Sequence, residues 1–214
     1  MFQVVEHHLA QVWLSEVRDG RTPPARFRTL VRRLGALLAM EALRAAPVVR
    51  HTVQTPCGVA NGAAWQEQVL IVPILRAGLT YAEGVGEVLP EAAFGHIGLY
   101  RDEQTHRPVP YFCKLPGWLS AARQPGRLRV YLVDPMLATG HSAVAAVQEL
   151  LAHGVQEAEI SLLTLVAAPE GRDCFVAACP QVSVWTWALD ERLNDKAYIV
   201  PGLGDAGDRL FGTL

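Results

Sequence analysis

The chain has no pair of cysteines at CxxC spacing. Its four cysteines, Cys57, Cys113, Cys174 and Cys179, lie scattered through 214 residues. That spacing argues against a zinc knuckle or a disulfide framework and for four reduced, mostly buried thiols in the cytoplasm. Neither charge is in excess: 19 basic and 21 acidic residues leave a net charge of −2. A large nucleic-acid footprint ordinarily needs a basic surplus, so nucleic acid is not an expected partner. No apolar run could cross a membrane. The most apolar stretch, residues 160–169, is broken by Ser161 and Thr164 and falls far short of the roughly 20 residues required. Residues 1–10 hold Glu6, His7 and His8 where an export signal would need an unbroken apolar core. Repeats and low-complexity tracts are also missing. Charged residues make up only 19% of the chain and apolar ones 50%, too apolar for a disordered polypeptide and enough for one substantial core. One domain over residues 1–214 is expected.

The remaining pattern alternates between strand and helix. Residues 24–46 read as an amphipathic helix, with Phe27, Leu30, Val31, Leu34, Leu37 and Leu38 at three- and four-residue steps. Residues 48–65 read as a strand and an irregular return, punctuated by Pro56, Gly58 and Gly62. Short apolar runs at 69–75, 93–100, 128–133, 160–167 and 182–188 read as strands, that at 69–75 of the kind buried on both faces. Helices are expected at 80–89, weakened by Gly84 and Gly86, at 142–153, and at 171–178. This alternation implies an α/β fold with a mostly parallel, twisted sheet flanked by helices, and such sheets bind ligands beyond the carboxyl ends of their strands. Two segments fall outside the alternation. Residues 101–128, with Pro108, Pro110, Pro116 and Pro125, read as a flexible hairpin or lid. Residues 189–214, rich in glycine and apolar side chains, read as an ordered tail shaped around a ligand.

The most informative stretch is Val130-Tyr-Leu-Val-Asp-Pro-Met-Leu-Ala-Thr-Gly-His-Ser142. A strand ends at Asp134, and a small-residue loop with Thr139, Gly140 and Ser142 opens a helix. Unpaired backbone N–H groups and the helix dipole make such a start a phosphate cradle without a lysine. A plain Thr/Ser cap after a buried aspartate would leave a similar trace.

Residues 134–142 resemble the 5-phosphoribosyl-1-diphosphate (PRPP) loop of type I phosphoribosyltransferases, in the form found in the uracil-specific members. Val72-Pro-Ile-Leu-Arg-Ala-Gly78, Tyr100-Arg-Asp-Glu103 with Pro108-Val-Pro-Tyr-Phe112, and Tyr198-Ile-Val-Pro-Gly-Leu-Gly-Asp-Ala-Gly-Asp208 are similar to further motifs of that family, in the same order. The resemblance implies the family fold, with residues 189–214 as a base-binding hood, and transfer of the phosphoribosyl group from PRPP to uracil, giving UMP and diphosphate.

It also implies roles. Arg76, Arg101 and Asp134 would be catalytic. PRPP would meet Arg76, Arg101, Asp134, Pro135, Met136, Leu137, Ala138, Thr139, Gly140, His141, Ser142 and Asp205. Uracil would meet Ile199, Gly204, Asp205 and Ala206. Magnesium would be held by PRPP and water, with no direct side-chain ligand. The resemblance further implies a homo-oligomer, dimer or tetramer, and admits GTP as an effector, for which no stretch localises a site. His141 stands where the family usually has a second glycine, and Arg192 and Ala197 also replace glycines common among relatives. The other histidines carry no matching partners in the sequence, and Glu103, Asp190 and Asp208 have no evident role. Trp185 and Trp187 alternate in a strand and read as core. Two other readings remain at this stage: a nucleotide-sensing or RNA-binding regulator built on the same fold, and the same chemistry on a purine or on orotate. The even charge opposes RNA, and residues 199–208 offer no cation for the orotate carboxylate.

Overall fold

The computed structural model describes residues 1–101, 108–120 and 127–213, without the side chains of Arg101 and Ser120. The chain opens with strand β1 (Phe2–Val4) and helices α1 (His8–Arg18) and α2 (Pro24–Leu43). An antiparallel hairpin, β2 (Val48–Thr55) and β3 (Gly58–Trp65), follows. Then come β4 (Gln68–Leu75), α3 (Gly78–Val88), β5 (Ala93–Phe94), β6 (His96–Arg101) and β7 (Pro108–Lys114). The second half holds β8 (Leu128–Val133), β9 (Met136–Leu137), α4 (His141–Ala152), β10 (Ile160–Ala167), α5 (Pro169–Ala178) and β11 (Ser183–Leu189). The tail carries a small hairpin, β12 (Arg192–Leu193) and β13 (Ile199–Val200), and helix α6 (Ala206–Phe211).

The main sheet runs β1-β11-β10-β8-β4-β6-β7. Its pairs are parallel except β6–β7, which confirms the mostly parallel α/β architecture. Strand alternation sends Ile71, Tyr131, Val133, Leu163 and Leu165 to one face, under α1, α2, α3 and α6. Leu70, Val72, Val130, Leu132 and Leu162 point to the other, under α4 and α5. All eight residues of β10 are buried, as expected of a central parallel strand.

Several elements depart from the pattern reading. Residues 48–65 form a regular hairpin, paired from Val48↔Trp65 to Thr55↔Gly58, because Pro56 and Cys57 make the turn and leave both arms free to pair. The 93–100 run is two strands: β5 pairs with the start of β4 and β6 with its end. Helix α2 stops at Leu43, in keeping with the bias against helical backbone just before Pro47. The thiols are not mostly buried. Cys57 lies in the exposed hairpin turn and Cys113 on the edge strand, Cys174 is half-buried, and only Cys179 is buried. Trp187 is a core residue, its indole N–H donating to the Leu34 carbonyl at 3.2 Å.

The weak helix propensity of residues 80–89 has a tertiary reason. A Cβ on Gly84 would stand 1.8 Å from the Arg32 carbonyl oxygen. Glycine lets α3 lie against the backbone of α2, and this contact outweighs the propensity lost in the helix interior. Among the described residues, no helix is long and apolar enough to cross a membrane.

Candidate active site

Strands β4 and β8 lie side by side, with Pro73 opposite Val133. The residues just past their carboxyl ends, Arg76 and Asp134, therefore line one cleft of about 410 Å³.

The backbone after Asp134 is held by β10. The Asp134 N–H donates to the Leu163 carbonyl at 3.2 Å, and the Pro135 carbonyl accepts from Leu165 and Val166 at 3.0 and 3.2 Å. Met136 and Leu137 pair with Val166 and Ala167. Asp134 is half-buried and lines the cleft, and among the described residues its Oδ1 accepts one long bond, 3.4 Å, from the Met136 N–H. Desolvation pushes its carboxyl up to about 7, against the weak opposing pull of that N–H.

Gly140 then adopts a left-handed φ of 84°, which turns the chain into α4. The first helical bond runs from the Val144 N–H to the Gly140 carbonyl, so by helix geometry the N–H groups of residues 141–143 have no partner inside the helix. They open beside a recess of about 70 Å³ lined by Asp134, Ala138, Thr139, Gly140 and Ser142 among others. His141 is exposed and does not line that recess. The His141 side chain therefore does not fill the recess.

Arg76 follows a cis peptide bond after Leu75 and is exposed. Among the described residues no carboxylate pairs with it; its guanidinium carbon stands 5.7 Å from the centre of the Phe211 ring. A strand-end arginine without an ion-pair partner is available to an anion in the cleft. Arg101 ends β6, next to β4 in the sheet, but its side chain lies outside the described residues, as do Glu103 and the rest of 102–107. Of the 101–128 segment, residues 108–114 are the antiparallel edge strand β7 and 117–120 a single helical turn.

The far wall comes from the tail: Lys196, Ala197, Tyr198, Gly204, Asp205 and Ala206. Its conformation is held by contacts with distant elements. Arg209 donates to the carbonyls of Val17, Leu203 and Asp19 at 2.6–2.7 Å and lies over the Phe27 ring at 4.2 Å. Asp205 caps α6, its Oδ1 accepting from the Asp208 N–H at 2.9 Å. Asp208 in turn accepts from the Thr213 hydroxyl at 2.6 Å. Asp190 accepts from the Arg18 guanidinium and from the Gly202 N–H. Both aspartates thereby acquire structural roles that sequence proximity did not disclose. Gly204, Asp205 and Ala206 line the cleft, whereas Ile199 is buried in the core and is not among the lining residues. Lys196 belongs to no motif, yet it sits at the cleft mouth.

The arrangement combines a recess at a helix start, an arginine with no carboxylate partner among the described residues, a carboxylate of raised pKa, and a wall from the glycine-bearing tail. The family model of uracil phosphoribosyltransferase matches residues 4–213. The chain is 47% identical to the uracil phosphoribosyltransferase of Dictyoglomus thermophilum over all of both chains. It is 49% identical to that of Rhodospirillum centenum, covering 98% of this chain and 94% of the relative. The solved structure of the AQ2163 protein from Aquifex aeolicus superposes with a TM-score of 0.89 at 35% identity, covering 99% of this chain and 98% of that one. With a family match spanning nearly its whole length, this chain belongs to the uracil phosphoribosyltransferase family.

Proposed function

We propose that the protein transfers the 5-phosphoribosyl group of PRPP to uracil, forming UMP and diphosphate in pyrimidine salvage. The observation that carries this reading is the shared cleft of Arg76, Asp134 and the 196–207 tail, in a chain 47% identical over its full length to a uracil phosphoribosyltransferase.

In this reading the 5′-phosphate sits in the recess at the start of α4, against the amides of Thr139 to Ser142, and the Asp134 carboxylate accepts from the ribose hydroxyls. Arg76 binds the diphosphate. Arg101 adds a second positive charge, supported by the position of its backbone at the end of the strand beside β4. As the diphosphate departs, positive charge grows on the ribose and negative charge on the leaving oxygens, and fixed charges on both sides stabilise that separation. The uracil nitrogen attacks the anomeric carbon directly; no nucleophilic side chain is needed. The backbone near Ile199, Gly204, Asp205 and Ala206 supplies donors and acceptors that match the two carbonyls and the N–H of uracil. Cytosine, with an amino group in place of one carbonyl, would leave buried groups unpaired.

Magnesium suits this site: the cleft presents the oxygen donors Asp134 and Asp205, and this ion keeps several waters while binding substrate phosphates. Held mainly by PRPP, it would neutralise the leaving diphosphate. We further infer a homo-oligomer, supported by the projecting β2–β3 hairpin, which exposes Val48, Val49, Val53, Val59 and Trp65, and a cytoplasmic setting, supported by four unpaired thiols. GTP activation is retained only as a family trait to be assayed.

The test is UMP formation from PRPP and uracil with magnesium. Product that depends on all three components supports the reading, and PRPP binding without product opposes it.

A further inference from the structure

Outside the cleft, the fold assembles a second cluster of ligand-type side chains from residues that the sequence keeps far apart. Cys113 lies near the end of the edge strand β7, and Glu149 and His153 are one helical turn apart at the end of α4. The Cys113 Sγ, a Glu149 carboxylate oxygen and an imidazole nitrogen of His153 all lie within 4.8 Å of one another. Ligand atoms around a tetrahedral zinc ion sit roughly 3.4–3.6 Å apart, from its usual bond lengths. Small rotations of these exposed and half-buried side chains would close the difference.

The Nδ1 of His153 faces Glu149, 2.9 Å from its backbone carbonyl and 3.7 Å from its carboxylate Oε1. Ligation through Nδ1 would exchange the carbonyl contact for the ion, with Nε2 then holding the single proton of the neutral ring.

We propose that Cys113, Glu149 and His153 form a three-ligand site for a borderline divalent transition metal such as Zn²⁺, with a fourth position left to water. A thiol, an imidazole and a carboxylate together suit zinc or cobalt, whereas magnesium prefers oxygen donors alone. The site is therefore chemically distinct from the magnesium of the proposed reaction and does not depend on it. Its location has a consequence. Helix α4 begins at the phosphate recess, and β7 pairs with β6, the strand that ends in Arg101. A bound ion would tie the edge of the sheet to the helix that opens the recess.

The test uses Co²⁺ as an optical probe on the full chain after metal removal with a chelator. The expected result is one equivalent bound, with a thiolate-to-cobalt charge-transfer band that Zn²⁺ displaces and excess Mg²⁺ does not. Cys113→Ser should abolish the band and His153→Gln should weaken Co²⁺ binding at least tenfold. Cys57→Ser, at the exposed hairpin turn, should change neither. Metal-free unfolding temperatures of both site variants should match the wild type, which separates lost ligation from lost folding. Should Cys113→Ser not fold, the His153→Gln titration decides alone. Absence of the band in the wild type, its survival in Cys113→Ser, or unchanged affinity in His153→Gln would each overturn the proposal.

Discussion

Arg18 and Asp190 stand 172 residues apart in the chain and form a two-pronged ion pair, with Nη1–Oδ2 at 2.8 Å and Nη2–Oδ1 at 2.6 Å. Arg18 also donates to the Gly202 carbonyl at 2.7 Å, and Asp190 accepts from the Gly202 N–H at 2.9 Å. Helix α1 thus holds the start of the loop that forms the far wall of the cleft. The pair is largely withdrawn from water, with side-chain exposures of 24% and 5%, so removing one charge strands the other.

Asp190→Asn should therefore destabilise the protein by about 2–4 kcal/mol. It should also raise the KM for uracil roughly tenfold while leaving that for PRPP within about threefold, since the clamp orders the tail and not the phosphate recess. Steady-state kinetics in both substrates, beside a thermal melt, check this. Equal increases in the two KM values would mean that the clamp supports the whole cleft.

Asp134 ties pH to stability. Its carboxyl ionises near 3.9 in an unfolded chain and at about 7 in the fold. Between those values the folded state holds a proton that the unfolded state has lost, so the stability contribution falls as pH rises from about 4 to 7 and stays low above. Asp134→Asn should be more stable than the wild type at pH 8 by about 1–3 kcal/mol, a figure reduced from the full shift because the cleft admits water. The two should converge near pH 4. The same variant should lose at least about a hundredfold in turnover. PRPP affinity should weaken from pH 8 to pH 6 in the wild type and stay flat in the variant. Near-normal turnover in Asp134→Asn would remove this residue from the mechanism.

The α2–α3 contact predicts a sharp cost for one methyl group. Gly84→Ala would put a Cβ 1.8 Å from the Arg32 carbonyl oxygen and should destabilise by about 2–3 kcal/mol. Gly20→Ala, with nothing within 4 Å of the added carbon, should stay within about 0.5 kcal/mol of the wild type. Urea melts of the two variants make the comparison.

The loop before α4 separates two neighbours. Gly140→Ala places a Cβ on a residue with φ of 84° and 2.8 Å from the Gly171 carbonyl oxygen, and should weaken PRPP binding by about tenfold or more. His141→Gly alters an exposed side chain and should change PRPP affinity by less than about threefold, and uracil affinity still less. A large effect in His141→Gly would show the imidazole acting on the ligand.

The sheet is largely legible in the sequence because its central strands carry their own signal. Residues 128–133 and 160–167 are apolar runs, and the structure ends both strands at those residues. Strand β1 has only three residues, and it exists because Phe2, Gln3 and Val4 pair with Val184, Trp185 and Thr186; nothing local announces it. Asp134, Arg76 and the glycine-bearing tail are legible because each follows a strand or carries a motif. Asp190, Lys196 and the Cys113–Glu149–His153 group depend on contacts between distant segments, which no spacing rule encodes. Ala197 shows the converse: the resemblance implies a glycine at its position, and its φ of 59° is one that glycine adopts more readily than alanine.

The most direct test of the central claim is a competition among bases. Purified protein, magnesium and limiting PRPP are mixed with equal amounts of uracil, cytosine, orotate and hypoxanthine, and the nucleotides formed are separated and counted. The proposed matching of the tail to the carbonyls and N–H of uracil predicts UMP in at least about hundredfold excess over every other product. Comparable yields from another base, or none from uracil, would contradict a uracil-specific transferase.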